Sequence, residues 1–265
     1  MTKVTLNKRP TFFEYTGNTK RRVSVKGKEC ITPFNANELA VFKREFLNTG
    51  SAIRAPSTIL YSNGDVYKGE VDKLGLKHGL GFLYYKNGEL YIGKWKNDVA
   101  NGCAIYTNLR GDKYIGIWKN NMFTWNKNVI IFANGDMYEG ETKNGYLCGH
   151  GKMTYENGDV YVGEWFNNNH HGNGRLQYVY DDVYAGQFIN GEKNGHGYYH
   201  WSNGNMYKGY WLNDNLHGDG VLDATNSLGN IYYGPWDQNE QTEMGRIVKP
   251  NGSYTMLLQN PIKTI

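Results

Sequence analysis

From about Ala55 onward, apolar and polar positions alternate every second residue, and glycine-containing breaks interrupt the alternation at near-constant intervals. A period of two marks β-strands whose faces differ. In Asn157-Gly-Asp-Val-Tyr161-Val-Gly163-Glu-Trp165 it sends Tyr161, Gly163 and Trp165 to one face. Tyr-x-Gly recurs at Tyr67, Tyr91, Tyr114, Tyr138, Tyr161, Tyr184, Tyr207 and Tyr232, in steps of 24, 23, 24, 23, 23, 23 and 25 residues. Trp95, Trp118, Trp165, Trp211 and Trp236 follow at the next position on that face, with Phe188 in one unit and Val71 and Thr142 in two others. So regular a period predicts a repeat array whose units contact mainly their neighbours.

Each unit reads as a strand, a wide turn, a strand and a tight turn. Asn-Gly supplies the tight turn at Asn63, Asn87, Asn134, Asn157, Asn203 and Asn251, and the expectation is a hairpin turn with both residues at positive φ. Tyr180-Asp181 lacks both residues, although Asp181 tolerates the left-handed region. Gly-x-Gly, as at Gly79/Gly81, Gly172/Gly174 and Gly218/Gly220, is assigned to the wide turn. Gly102/Ala104 and Asn126/Asn128 stand at the same offset, the asparagines as residues able to replace a left-handed glycine. The fold class expected is all-β: an elongated, twisted, single-layer antiparallel meander, over residues 57–265, with roughly 17 strands and a length on the order of 80 Å. The last units decay, with Glu243-Met-Gly245 where Gly-x-Gly belongs and Thr255 where a tyrosine belongs.

Residues 1–56 differ. One amphipathic stretch, Asn35 to Leu47, places Leu39, Phe42, Phe46 and Leu47 on one helical face, giving a capping helix at about 36–48. It either covers the first hairpin or docks on a partner. The chain has a formal net charge of +4, but residues 1–57 carry +7 and the remainder −3. The basic arm centres on Lys20, Arg21, Arg22, Lys26 and Lys28, a composition suited to acidic protein or anionic lipid.

Composition adds 34 Gly and 22 Tyr at a hydrophobic fraction of 39%, which fits one thin sheet better than two packed layers. No apolar run of membrane-spanning length occurs, and the first residues lack the apolar core of a secretion signal. Cys30, Cys103 and Cys148 are odd in number and widely spaced, so free thiols in a reducing compartment are expected and a disulfide framework or zinc ribbon is not.

These residues resemble the MORN repeat (membrane occupation and recognition nexus), whose pattern runs Tyr-x-Gly-x-Trp and then Gly-x-Gly over about 23 residues. The resemblance covers roughly 57–255 and carries no attached kinase or methyltransferase domain. It implies a non-catalytic scaffold, similar to radial-spoke head and cytoskeletal members, in a cytoplasmic assembly of the cytoskeleton or ciliary axoneme.

No catalytic constellation accompanies the repeats: the histidines of the wide turns (His78, His150, His171, His196, His217) have no carboxylate or cysteine at metal-ligand spacing. No enzyme activity, cofactor, metal, nucleic acid or small-molecule substrate is expected. The expected partner surface is a groove lined by Tyr67, Tyr91, Trp95, Tyr114, Trp118, Tyr138, Tyr161, Trp165, Tyr184, Phe188, Tyr207, Trp211, Tyr232 and Trp236, because tyrosine and tryptophan offer large rigid contact areas. It would take another protein or a second copy of the chain. The alternative is a peripheral membrane or phosphoinositide-binding adaptor acting through the basic arm.

Overall fold

The computed structural model describes residues 57–124, 128–242 and 244–257. The basic arm and the expected helix lie outside the described residues. Two units divide the chain at Tyr146/Leu147, and all described pairings are antiparallel.

In the first unit, β1 (Ser57–Leu60), β2 (Val66–Val71), β3 (Lys77–Tyr84), β4 (Leu90–Lys96) and β5 (Val99–Thr107) follow one another as neighbours. β6 (Lys113–Lys119) pairs with β5 and then with two short pieces, β7 (Met122–Phe123) and β8 (Asn128–Ile131), before β9 (Met137–Lys143). In the second unit the strands again pair in chain order: β10 (Tyr146–Thr154), β11 (Val160–Phe166), β12 (Asn169–Gln177), β13 (Val183–Ile189) and β14 (Glu192–His200). After them come β15 (Met206–Leu212), β16 (Asn215–Asp223) and β17 (Ile231–Asp237). β18 (Glu240–Gln241), β19 (Arg246–Val248) and β20 (Tyr254–Met256) are short, as the decay of the motif predicts. The twenty strands among the described residues exceed the expected 17 because the strands around residues 122–131 and 240–248 each appear as two pieces, and because a last edge strand forms.

The two turn types are the reverse of the sequence expectation. The Asn-Gly turns are the looser ones. Gly158 N–H donates to Tyr155 O and Tyr155 N–H to Asp159 O, while only Gly158, not Asn157, has positive φ. Asn157 instead accepts the Asp159 N–H through its side chain, the arrangement of a type I turn followed by a left-handed residue. At Tyr180-Asp181 the left-handed position falls on Asp181, φ 69°, as expected.

The tightest connections are two-residue turns with both φ positive, the type I′ geometry. They are Asn97-Asp98, Asn120-Asn121, Asn144-Gly145, Asn167-Asn168, Asn190-Gly191, Asn213-Asp214 and Gln238-Asn239. Gly-x-Gly therefore lies inside a strand. Its first glycine, such as Gly172 at φ 56°, forms a bulge. Its second is extended and pairs across the strand with the glycine of Tyr-x-Gly, as Gly174 does with Gly163.

Asn128 departs from its expected role too. It has no positive φ; its amide donates to Thr124 O at 2.7 Å and Thr142 Oγ1 at 2.8 Å. It fills the space above Gly116, and the Tyr114 hydroxyl instead meets the side chains of Arg110 and Asn108. Of the cysteines expected to be free thiols, Cys148 carries a thiol, Cys103 is disulfide-bonded against the expectation, and Cys30 lies outside the described residues.

Candidate functional site

The fourteen ladder aromatics are not an open groove. None is more than 5% exposed; they are the core. The reason lies in the paired glycines. The Tyr161 ring lies flat over Gly163 and Gly174, so close that a Cβ on Gly174 would come within 2.4 Å of Oη. Its hydroxyl donates to Glu164 O at 2.8 Å. Tyr67, Tyr138, Tyr184, Tyr207 and Tyr232 repeat the bond to the carbonyl three residues on.

Tryptophan and phenylalanine rings meet these tyrosines edge to face. In the second unit the chain of contacts runs Trp165–Tyr161–Phe188–Tyr184–Trp211–Tyr207–Trp236–Tyr232, with centroids 5.0–5.5 Å apart. Such pairs add about 0.5–1.5 kcal/mol each beyond area burial. In the first unit Trp95 bridges Tyr67 and Tyr91, and Tyr91 meets Trp118.

A lid completes the burial. The residue two places before each bulge glycine folds over the ladder. His170 stacks on Tyr161 at 3.6 Å and 12°, and its Nε2 lies 2.8 Å from Tyr155 Oη. Burial among these rings pushes its pKa down to about 4. In the equivalent place Lys193 holds its ammonium 5.1 Å from the Trp211 ring centroid and 3.6 Å from Asp214, and burial lowers its pKa. Lys77 sits likewise over Trp95 and Tyr61. A single sheet thus makes its own covering layer, which the sequence reading lacked. The period-two pattern of His170, Gly172 and Gly174 places these lids on the ladder face.

Both rims of the sheet are sewn by side chains. At the type I′ rim, Asn168 N–H donates to Leu147 O while Leu147 N–H donates to Asn168 Oδ1 at 2.7 Å. Asp98, Asn121, Asp214 and Asn239 make the same two-point clip one repeat back. At the other rim Asp65, Asp112, Asp159 and Asp182 each accept a backbone N–H from the next four-residue turn.

What remains open is the opposite face. In the second unit a groove of about 930 Å³ runs across β14–β17. Its floor is the backbone of Gly197, Gly209, Gly220 and Gly234, paired in register. Tyr198, Lys208, Val221 and Tyr233 form one ridge, and His196, Asp219 and Pro235 flank the other side. Tyr198 and Tyr233 are each 37% exposed, and the Arg246 guanidinium lies 5.1 Å from the Tyr233 ring centroid. Aromatic, basic, acidic and bare-backbone surface therefore alternate along one line. Among the described residues no three metal-ligating side chains converge.

Comparison with curated proteins finds no match. Among solved structures, the SAS-4 (dCPAP) TCP domain of Drosophila melanogaster, in complex with a proline-rich motif of Ana2, is 15% identical. That likeness covers 72% of this chain and 98% of that one at a TM-score of 0.39. The CPAP G-box domain is 8% identical, over 76% and 96%, at 0.38. The TCP10 domain of Danio rerio CPAP with a STIL peptide is 11% identical, over 78% and 96%, at 0.31. Likenesses this weak carry nothing about function. The MORN repeat family, in contrast, matches at 67–89, 91–112, 138–160, 161–179, 184–206 and 207–227. With the same residues forming the tyrosine–glycine ladder, the chain belongs to the MORN repeat family.

Proposed function

We propose that the protein is a non-catalytic scaffold that holds an extended segment of another protein along the open face of the second unit. The observation that carries this reading is the glycine-floored groove with its half-exposed Tyr198 and Tyr233. Its two ridges are side chains two residues apart on each strand, about 7 Å. That width admits an extended backbone between them but not an α-helix of about 10 Å diameter. Tyrosine at half exposure offers a rigid apolar body with a hydroxyl at the rim, the composition of contact hot spots. The ladder tyrosines and tryptophans act beneath this surface as its rigid support. Family membership favours a place in a large cytoskeletal or axonemal assembly in the cytoplasm, with the chain as a structural component.

The test is affinity capture from ciliated cells with the wild-type chain and with Tyr198→Ser/Tyr233→Ser. The expected result is cytoskeletal or axonemal proteins retained by the wild type and lost by the variant, whose sheet signal in circular dichroism is unchanged. Recovery of membrane proteins or lipid enzymes alone overturns the assembly, and retention of the same partners by the folded variant overturns the groove.

A further inference from the structure

Asn-Gly occurs eleven times in the chain, and the fold treats one of these pairs differently from the rest. Six form the four-residue turns, where the N–H of Gly64, Gly88, Gly135, Gly158, Gly204 and Gly252 donates to the carbonyl three residues back at 2.9–3.0 Å. Three more, at Asn101, Asn173 and Asn194, lie inside β5, β12 and β14. The last two, Asn144-Gly145 and Asn190-Gly191, are type I′ turns with the asparagine at φ 52° in both. Gly191 N–H is tied one repeat back, to His170 O at 2.9 Å. At the same offset Gly145 faces Thr124 O, but that carbonyl accepts the Asn128 amide at 2.7 Å. Among the described residues Gly145 N–H has no acceptor. The second N–H of each of the other six type I′ turns is clipped to a carbonyl one repeat back. The irregular repeat that places Asn128 over Gly116 therefore also releases the turn that follows it.

We propose that Asn144 is a site of spontaneous deamidation, selected by this missing bond. The chemistry needs only hydroxide and water. Hydroxide removes the Gly145 amide proton, and the nitrogen attacks Asn144 Cγ. The new C–N bond closes a succinimide ring while the Cγ–Nδ2 bond breaks, and ammonia leaves with a proton returned from water. Water then opens the imide at either carbonyl, giving aspartate or isoaspartate. Glycine presents the least hindered attacking nitrogen, so all eleven pairs share the same intrinsic liability. The hydrogen bonds separate them. An N–H held by a carbonyl must give up that bond before its nitrogen can be deprotonated and turned toward Cγ. Asn144 is exposed, which opens its amide to solvent. The product places a carboxylate at the turn, and its isoaspartyl form lengthens the backbone by one carbon. A two-residue type I′ link has no place for that carbon, so the connection between β9 and β10 is where the array ages first.

The test follows Asn144 and Asn190 by peptide mapping and mass spectrometry in the folded full chain, held in mildly alkaline buffer. Both have the same dipeptide, turn type and φ, so each is the other's control. Asn144 is expected to convert about fivefold faster or more, and in the urea-unfolded chain the two rates should converge. Asn190 converting as fast as Asn144 in the folded chain overturns the proposal. So does a rate ratio unchanged in urea, which assigns the difference to the flanking residues. Hydrogen exchange resolved to single amides gives a reading independent of the chemistry: Gly145 should exchange readily and Gly191 be protected, and a protected Gly145 overturns the proposal.

Discussion

The Tyr161 ring occupies the space that a side chain on Gly174 would need: a Cβ there would lie 2.4 Å from Oη and 2.5 Å from Cε2. The glycine is therefore a packing requirement, distinct from the conformational one at the bulge. Gly174→Ala must displace the ring from Glu164 O and from its stack under His170. A loss of about 2–4 kcal/mol is expected in chemical denaturation, from overpacking plus the broken bond. Gly191→Ala is the control. It has nothing within 4 Å but φ 97°, so it should cost only the backbone strain of about 1–2 kcal/mol.

Tyr184→Phe keeps the ring and removes the donor to Gln187 O, 2.9 Å away. The ladder contacts to Phe188 and Trp211 stay. A loss of about 1 kcal/mol is expected, with near-ultraviolet circular dichroism unchanged.

His170 gives the protein an acid-sensitive element. Its pKa in the folded state is about 4, against 6.5 in the unfolded chain. The unfolded state therefore binds the extra proton between these values. The stabilisation is fully present above pH 6.5 and is lost as pH falls toward 4. The wild type should lose about 2–3 kcal/mol over that window, and His170→Gln should flatten this part of the stability–pH curve.

Glu89 acts in the opposite direction. It is 3% exposed beside Tyr106, and burial raises its pKa to about 7 from 4.5. Here the folded state holds the proton more tightly, so stability is fully present below pH 4.5 and lost as pH rises through 7. Glu89→Gln keeps a neutral side chain of the same shape and should be more stable than the wild type at pH 8, by about 1–3 kcal/mol in urea unfolding.

The rim clip can be separated from its turn. Asn168→Gly retains the left-handed φ of 71° but removes the acceptor for Leu147 N–H. About 1 kcal/mol should be lost. Asn168→Ala adds a strained left-handed alanine and should cost about 1 kcal/mol more.

The strand order and the face assignments were readable because Tyr-x-Gly-x-Trp states its period openly. The turn chemistry was misread for a definite reason: Gly-x-Gly drew the wide-turn assignment, although Asn-Asp, Asn-Asn or Asn-Gly stands two residues after Trp95, Trp118, Trp165, Phe188 and Trp211. Where the second position of that pair is Asp or Asn it also makes the clip, a contact one repeat away that no local pattern displays. The groove was placed on the ladder face because one thin sheet offers no second layer to hide large aromatics. Nothing in the repeat motif marks His170 and Lys193, and their burial follows from the ring beneath each of them. Tyr198 and Tyr233 were legible only as off-motif tyrosines on the other face.

The rim clips bear on how the protein is made as well as on how it stands. Each spans one repeat, such as Leu147 to Asn168, so the sequence separation that must be closed is 21 residues at four clips and 23 at the last, and does not grow with the number of units. Loop-closure entropy then stays nearly constant along the array. A hairpin formed anywhere offers its neighbour the rim acceptors that neighbour needs, so each emerging repeat can be captured as soon as about two dozen residues are available, without waiting for a distant end of the chain.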